Sequence, residues 1–184
     1  MNILEVFNKK KKLSINAMSR LIEDSSRQTL DYVINTLTQI NTPFDTIEAK
    51  INILSINYEL YRYELYKSNE KIDVDDLMED LYIKIFYDLN ISSNDKYNQI
   101  IDDVKNKSKE IFGVKKLMAP AERFIYRLLL EQLNIKESIV PKNIIQDLLF
   151  YSKSMLNNVE NMNKAYYIDI DDDKSQEEKI DFKF

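Results

Sequence analysis

The stretch PFDTIEAKINILSINYELYRYELYKS, residues 43–68, decides the fold class. Its residues Ile47, Ile51, Leu54, Tyr58, Tyr61 and Leu65 return at intervals of three and four, the period of one helix face. Glu48, Lys50, Glu59, Arg62 and Lys67 fall between them and are assigned to water. Pro43 marks the start, with Thr42 before it and Asp45 after it. Proline's fixed φ suits a first helical turn, and its missing N–H would have no partner there anyway.

The same punctuation recurs outward from this stretch. Ala119-Pro120-Ala121-Glu122 and Val140-Pro141-Lys142-Asn143 read as helix starts of the same kind. Asp73 and Ser92, each with an Asp three residues on, read as N-caps, and Asn69, Asn90, Gly113 and Asn134 as stops. Tight hairpins want several residues at positive φ, so one Gly in 184 residues argues against a hairpin-rich β protein. The spacing predicts helices near 14–40, 43–68, 73–90, 93–112, 119–134 and 141–164. Within 119–134, Phe124-Ile125-Tyr126-Arg127-Leu128-Leu129-Leu130 is apolar nearly all round, which makes that segment the expected central helix. The expectation is an all-α, single-domain bundle of about six helices over 14–164. A basic N-terminal arm, 1–13, and an acidic, flexible C-terminal tail, 165–184, flank it.

The net charge of −5 is unevenly spread. Residues 1–27 carry +3, residues 165–184 carry −4, and the middle carries −4. Basic head and acidic tail invite a partner, or each other. No run approaches about 18 apolar residues, so no membrane span is expected. The opening MNILEVFNKKKKLSIN puts its charges after a short apolar patch, the reverse of a secretory signal, and a cytoplasmic location is expected. Abundant Ile, Asn, Lys and Tyr with only five Arg among 26 cations fit AT-rich coding DNA of low-GC bacteria and their phages or plasmids.

The chain has no His and no Cys, hence no imidazole base, no thiolate nucleophile and no zinc site of the usual ligands. One Gly excludes the glycine-rich phosphate loops. No catalytic residue, cofactor or metal is therefore assigned. Acidic clusters offer the single remaining route to metal chemistry. Asp73, Asp76, Glu79 and Asp80, with Asp102 and Asp103 one helix later, resemble the paired-carboxylate helices of all-α nucleotide pyrophosphatases. That resemblance implies Mg²⁺ held between the two pairs. Acids in a helix's first turn also answer the helix dipole alone. Asp169, Asp171 and Asp173 start like a calcium loop, but Lys174 and Ile180 stand where it needs Gly and Glu.

Three segments point to macromolecular partners. Between Ile22 and Leu30 lies a polar gap, Glu23-Asp24-Ser25-Ser26-Arg27-Gln28-Thr29, with Ser25 and Gln28 in capping-box spacing. Read as two helices, 14–37 resembles the helix-turn-helix of bacterial and phage DNA-binding regulators. Ser26, Arg27, Gln28 and Thr29 then open the recognition helix, and Lys9, Lys10, Lys11 and Lys12 add phosphate contacts. Read as one, it is a long helix with a polar break. Tyr63 and Tyr66 fall to the flank of their helix and suit a protein interface. Asp171, Asp172, Asp173, Phe182 and Phe184 resemble the acidic, Phe-tipped tails of single-stranded-DNA-binding proteins, which implies partner recruitment by charge and an aromatic anchor. Finally, LMAPAERFIY, residues 117–126, is similar to the opening helix of restriction-endonuclease-like domains, without the strands that carry that family's catalytic residues.

Elimination leaves a non-catalytic helical binding protein, a regulator, inhibitor or assembly factor of a larger complex. The alternative is a DNA-binding regulator or replication accessory using 14–37. A protein partner is expected, with nucleic acid at the N-terminal segment as the alternative and self-association left open.

Overall fold

The computed structural model describes residues 10–40, 46–112 and 121–168. It is an all-α bundle of six helices: α1 Ile15–Leu37, α2 Ile47–Leu65, α3 Lys71–Asp88, α4 Asp95–Phe112, α5 Ala121–Gln132 and α6 Lys142–Ala165. Short strands β1, Lys11–Leu13, and β2, Tyr166–Ile168, bracket the helices and pair in parallel, Leu13 opposite Ile168. None of the described helices is long and apolar enough to cross a membrane.

Local chemistry sets the helix ends. The Ser14 side chain accepts from the Ala17 N–H (3.2 Å), Thr46 from Ala49 (3.1 Å) and Asn94 from Tyr97 (3.0 Å). Each satisfies a donor that the first turn leaves orphaned. Asn90 and Asn134 stop α3 and α5 with positive φ of 51° and 54°, as their sequence positions predict. Three starts differ from expectation. The helix placed at 43 begins at Ile47 behind its Thr46 cap, and Pro43 lies outside the described residues. Asp73 is inside the first turn of α3, whose cap position is Glu70. Asn94, which supplies the side-chain oxygen, caps α4 in place of Ser92.

The central helix is α2, not α5. It packs on α1, α3, α4, α5 and α6, and every residue from Ile51 to Tyr61 is buried. Encirclement also overturns the solvent face assigned to it: Glu59 is 1% exposed. At about 1.5–3 kcal/mol per fully buried large apolar side chain, Ile51, Ile53, Tyr58 and Leu65 are among the main contributors to the core. In α5, by contrast, Arg123, Arg127 and Glu131 are exposed.

The polar gap in α1 is not a turn. Residues 15–37 form one continuous helix, so the helix-turn-helix is absent. Ser26 donates to the Ile22 carbonyl (2.6 Å) and Thr29 to that of Ser25 (2.9 Å), so both hydroxyls are satisfied inside the helix. Ser25 and Ser26 of the gap face polar side chains of α2, while Asp24, Arg27 and Gln28 are exposed. Asn57 Nδ2 donates to Ser26 Oγ (2.6 Å), and the Tyr61 hydroxyl donates to Ser25 Oγ (2.8 Å).

Candidate docking groove

Helices α3 and α4 both pack on α2 but barely touch each other. The gap between them is a groove of about 870 Å³, with Arg62 of α2 among its walls. Glu59, one turn earlier on α2, is the buried centre of a polar network behind it. The Tyr82 hydroxyl donates to Glu59 Oε1 (2.5 Å), and Arg62 Nε lies 3.2 Å from the same oxygen without hydrogen-bond alignment. Arg62 Nη1 lies 3.6 Å from Asp75 Oδ1, which also accepts from the Tyr66 hydroxyl. Lys105 of α4 closes the set with its ammonium 4.2 Å from the centre of the Tyr82 ring.

Burial pushes the Glu59 carboxyl above its usual range, and Arg62 and the Tyr82 hydroxyl pull back only in part. Burial, then the neighbouring Glu59, holds the Tyr82 phenol well above its usual value. Desolvation works against the Arg62 charge, but Glu59 first, with Tyr82, Tyr66 and Asp75 behind it, more than offsets it, so the guanidinium stays protonated. Removing one partner of such a pair is costly, because it strands the other charge.

The rim is apolar. Along α3, Ile72, Asp76, Glu79, Ile83 and Tyr87 recur at helical spacing and are all exposed, Ile83 by 63% and Tyr87 by 84%. Beyond the half-buried Phe86, a second hollow of about 490 Å³ continues past Tyr87 to Asn90 and Ile91. Apolar residues this exposed, in a line beside a groove, are the usual mark of a binding surface. The sequence holds a signal for it. Leu81-Tyr82-Ile83 and Ile85-Phe86-Tyr87 give α3 more apolar circumference than one buried face consumes.

The side chains selected from sequence are mostly elsewhere. Lys10, Lys11 and Lys12 lie on or beside β1, with the Lys12 ammonium 5.7 Å from the Tyr167 ring centre. Lys9, Asp171, Asp172, Asp173, Phe182 and Phe184 fall outside the described residues. Ser26 and Thr29 are buried, whereas Arg27 and Gln28 are exposed. Arg27 pairs with both Glu23 and Asp88 at 2.7 Å. Tyr63 and Tyr66 meet edge to face at 6.1 Å, and Tyr63 also packs on Phe112 of α4, so both are half-buried in internal contacts. Of the acids read as metal ligands, Glu79 and Asp102 line the groove, Asp73 is covered and Asp76 points to solvent. Among the described residues, no group of three or more acids is placed to hold a metal ion.

A comparison with protein-family models, with curated proteins and with solved structures finds no match to this chain.

Proposed function

We propose that this protein is a non-catalytic helical binding protein, a regulator, inhibitor or assembly factor whose α3–α4 groove takes an amphipathic helix of a protein partner. The observation that carries this reading is the exposed ridge of Ile83 and Tyr87 beside a gap between two helices that both rest on α2. Such a gap is where a bundle would seat one more helix. A partner helix with apolar anchors one turn apart would cover the ridge. Exposed aromatic and aliphatic anchors of this kind concentrate binding energy.

The test is capture of the partner from cells of the source organism, followed by titration of its helix as a synthetic peptide. Ile83→Asp with Tyr87→Ala should weaken the peptide by at least roughly thirtyfold, the scale of a lost hot spot. Both side chains are exposed, so folding stability should move by no more than about 0.5 kcal/mol. Unchanged affinity would remove the groove from the reading. Mg²⁺-dependent nucleotide hydrolysis abolished by Glu79→Ala would overturn the non-catalytic part.

The DNA-binding alternative now rests on the grouping of Lys10, Lys11 and Lys12 at β1. It predicts duplex binding that weakens steeply with salt and is lost when the three are changed to Ala. Absence of binding at low salt removes it.

A further inference from the structure

The exposed stripe of α3 has an internal order: Ile72 stands at one end, Ile83 and Tyr87 at the other, and Asp76 and Glu79 between them. At about 1.5 Å per residue it is about 22 Å long, roughly four turns, with its two charges at the middle. Both charges are negative. The cations nearby are engaged inside the molecule: Arg62 with Glu59 and Asp75, Lys105 over the Tyr82 ring and 3.9 Å from Asp102, and Lys71 5.9 Å from the centre of the Tyr66 ring. Among the described residues, neither the Asp76 nor the Glu79 carboxylate has an ion pair or a hydrogen bond. Each is solvated, so the stripe presents a negative centre between apolar ends.

That order selects among occupants. A nucleic acid or an anionic membrane would meet like charge at the centre of the stripe. So would a second copy of this chain. A two-fold axis through the middle of the stripe would set Asp76 and Glu79 of one protomer against the same pair of the other. A helix with cations at its centre meets opposite charge there and keeps its apolar residues for both ends.

Building on the reading of this groove as a helix-docking site, we propose that the partner helix is cationic, with Lys or Arg at its middle turns facing Asp76 and Glu79 and apolar residues on either side covering Ile72, Ile83 and Tyr87. Solvated rim charges govern specificity and association rate more than total affinity. The expected signature is therefore a moderate preference that salt removes.

Three synthetic helical peptides of about 18 residues, long enough to cover the stripe, separate the charge from the groove. They share one stripe of Leu anchors and carry Lys, Gln or Glu at the middle turns. By fluorescence anisotropy with the full chain, the Lys peptide should bind roughly three- to tenfold more tightly than the Gln peptide, and the Glu peptide more weakly than either. Raising salt from about 0.1 M to about 1 M shortens the screening length from about 10 Å to about 3 Å and should remove most of the preference. Asp76→Asn with Glu79→Gln changes exposed positions, should keep the melting temperature, and should bring the Lys peptide to the affinity of the Gln peptide. Asp31→Asn with Asp147→Asn removes the same charge from exposed sites on α1 and α6 and should leave the preference intact. Ile83→Ala with Tyr87→Ala keeps the charge, removes the anchors and should weaken all three peptides.

Equal affinity of the Lys and Gln peptides, both weakened by loss of the anchors, would overturn the cationic partner and leave the groove standing. A preference that survives Asp76→Asn with Glu79→Gln, or that falls equally with Asp31→Asn and Asp147→Asn, would overturn it too. Binding indifferent to Ile83→Ala with Tyr87→Ala, or no binding of any peptide, would remove the groove as well.

Discussion

Glu59 concentrates what a stripe of six apolar residues cannot reveal. Spacing places it opposite Ile51, Leu54 and Tyr58, yet the structure buries it against Arg62 and Tyr82 because α2 has neighbours on all sides. The folded state holds the Glu59 proton more tightly than the unfolded chain, where the carboxyl titrates near 4.5. Between those two values the folded state binds more protons, so stability falls as pH rises through the window and is level above it. Glu59→Gln removes that proton and keeps an oxygen for Tyr82. The stability difference between variant and parent, from urea unfolding, should therefore shift toward the variant as pH rises from about 4.5 to neutral. A difference that stays constant, or moves toward the parent, would mean that Arg62 compensates the buried charge in full. Tyr82→Phe acts the other way. It leaves Glu59 short of a donor, should cost about 1–3 kcal/mol at neutral pH, and should steepen the fall with pH.

At the scale of elements, periods and two of the stops were legible, whereas the caps expected at Asp73 and Ser92 lie elsewhere and neighbours were not visible. Asn90 and Asn134 could be read as stops because a short polar side chain tolerates the left-handed backbone, and both adopt it. Which helix is central could not be read, because α5 has the more uniformly apolar sequence while α2 has the contacts. Its Asn52, Ser55, Asn57 and Glu59 are buried polar residues, and sequence alone shows no partner for them. The groove was half legible for the same reason: surplus apolar residues on α3 are visible, but the space beside them is not. The gap in α1 shows how a pattern can be real and its cause misassigned. A proline at Asp24 distinguishes the two causes. In a turn it would be tolerated, whereas within the continuous helix it removes a hydrogen bond and clashes with the preceding turn, costing about 3 kcal/mol or more. Asp24→Ala, at the same exposed position, should stay within about 0.5 kcal/mol. Thermal or urea unfolding of the pair measures it, and a proline variant as stable as the alanine one would restore the turn.

Across the whole molecule, the two ends of the helical bundle are brought together. The sequence does not show this pairing, since a three-residue strand is too short to show a period and Tyr166–Ile168 carries no charge. Two such strands are marginal by themselves. They are held by what lies around them: Ile168 is buried, its N–H donates to Asn69 Oδ1 (2.8 Å), and Leu13 packs against the core. Just before β2, Asn163 Nδ2 donates to Glu64 Oε1 (3.2 Å), and Asn163 also accepts from the Ser68 hydroxyl. The end of α6 is thereby tied to the end of α2. If this pairing is part of the cooperative fold, Ile168→Ala should cost about 2 kcal/mol or more, the low end for a buried isoleucine. Leu13, half-buried, should cost less. Because Leu13 and Ile168 are register partners, the double substitution should cost less than the two single costs combined, by about 0.5–1 kcal/mol. Strict additivity in a double-mutant cycle would mean that the two strands are stabilised independently, and the basic head would then be free to leave the root of the acidic tail without weakening the bundle.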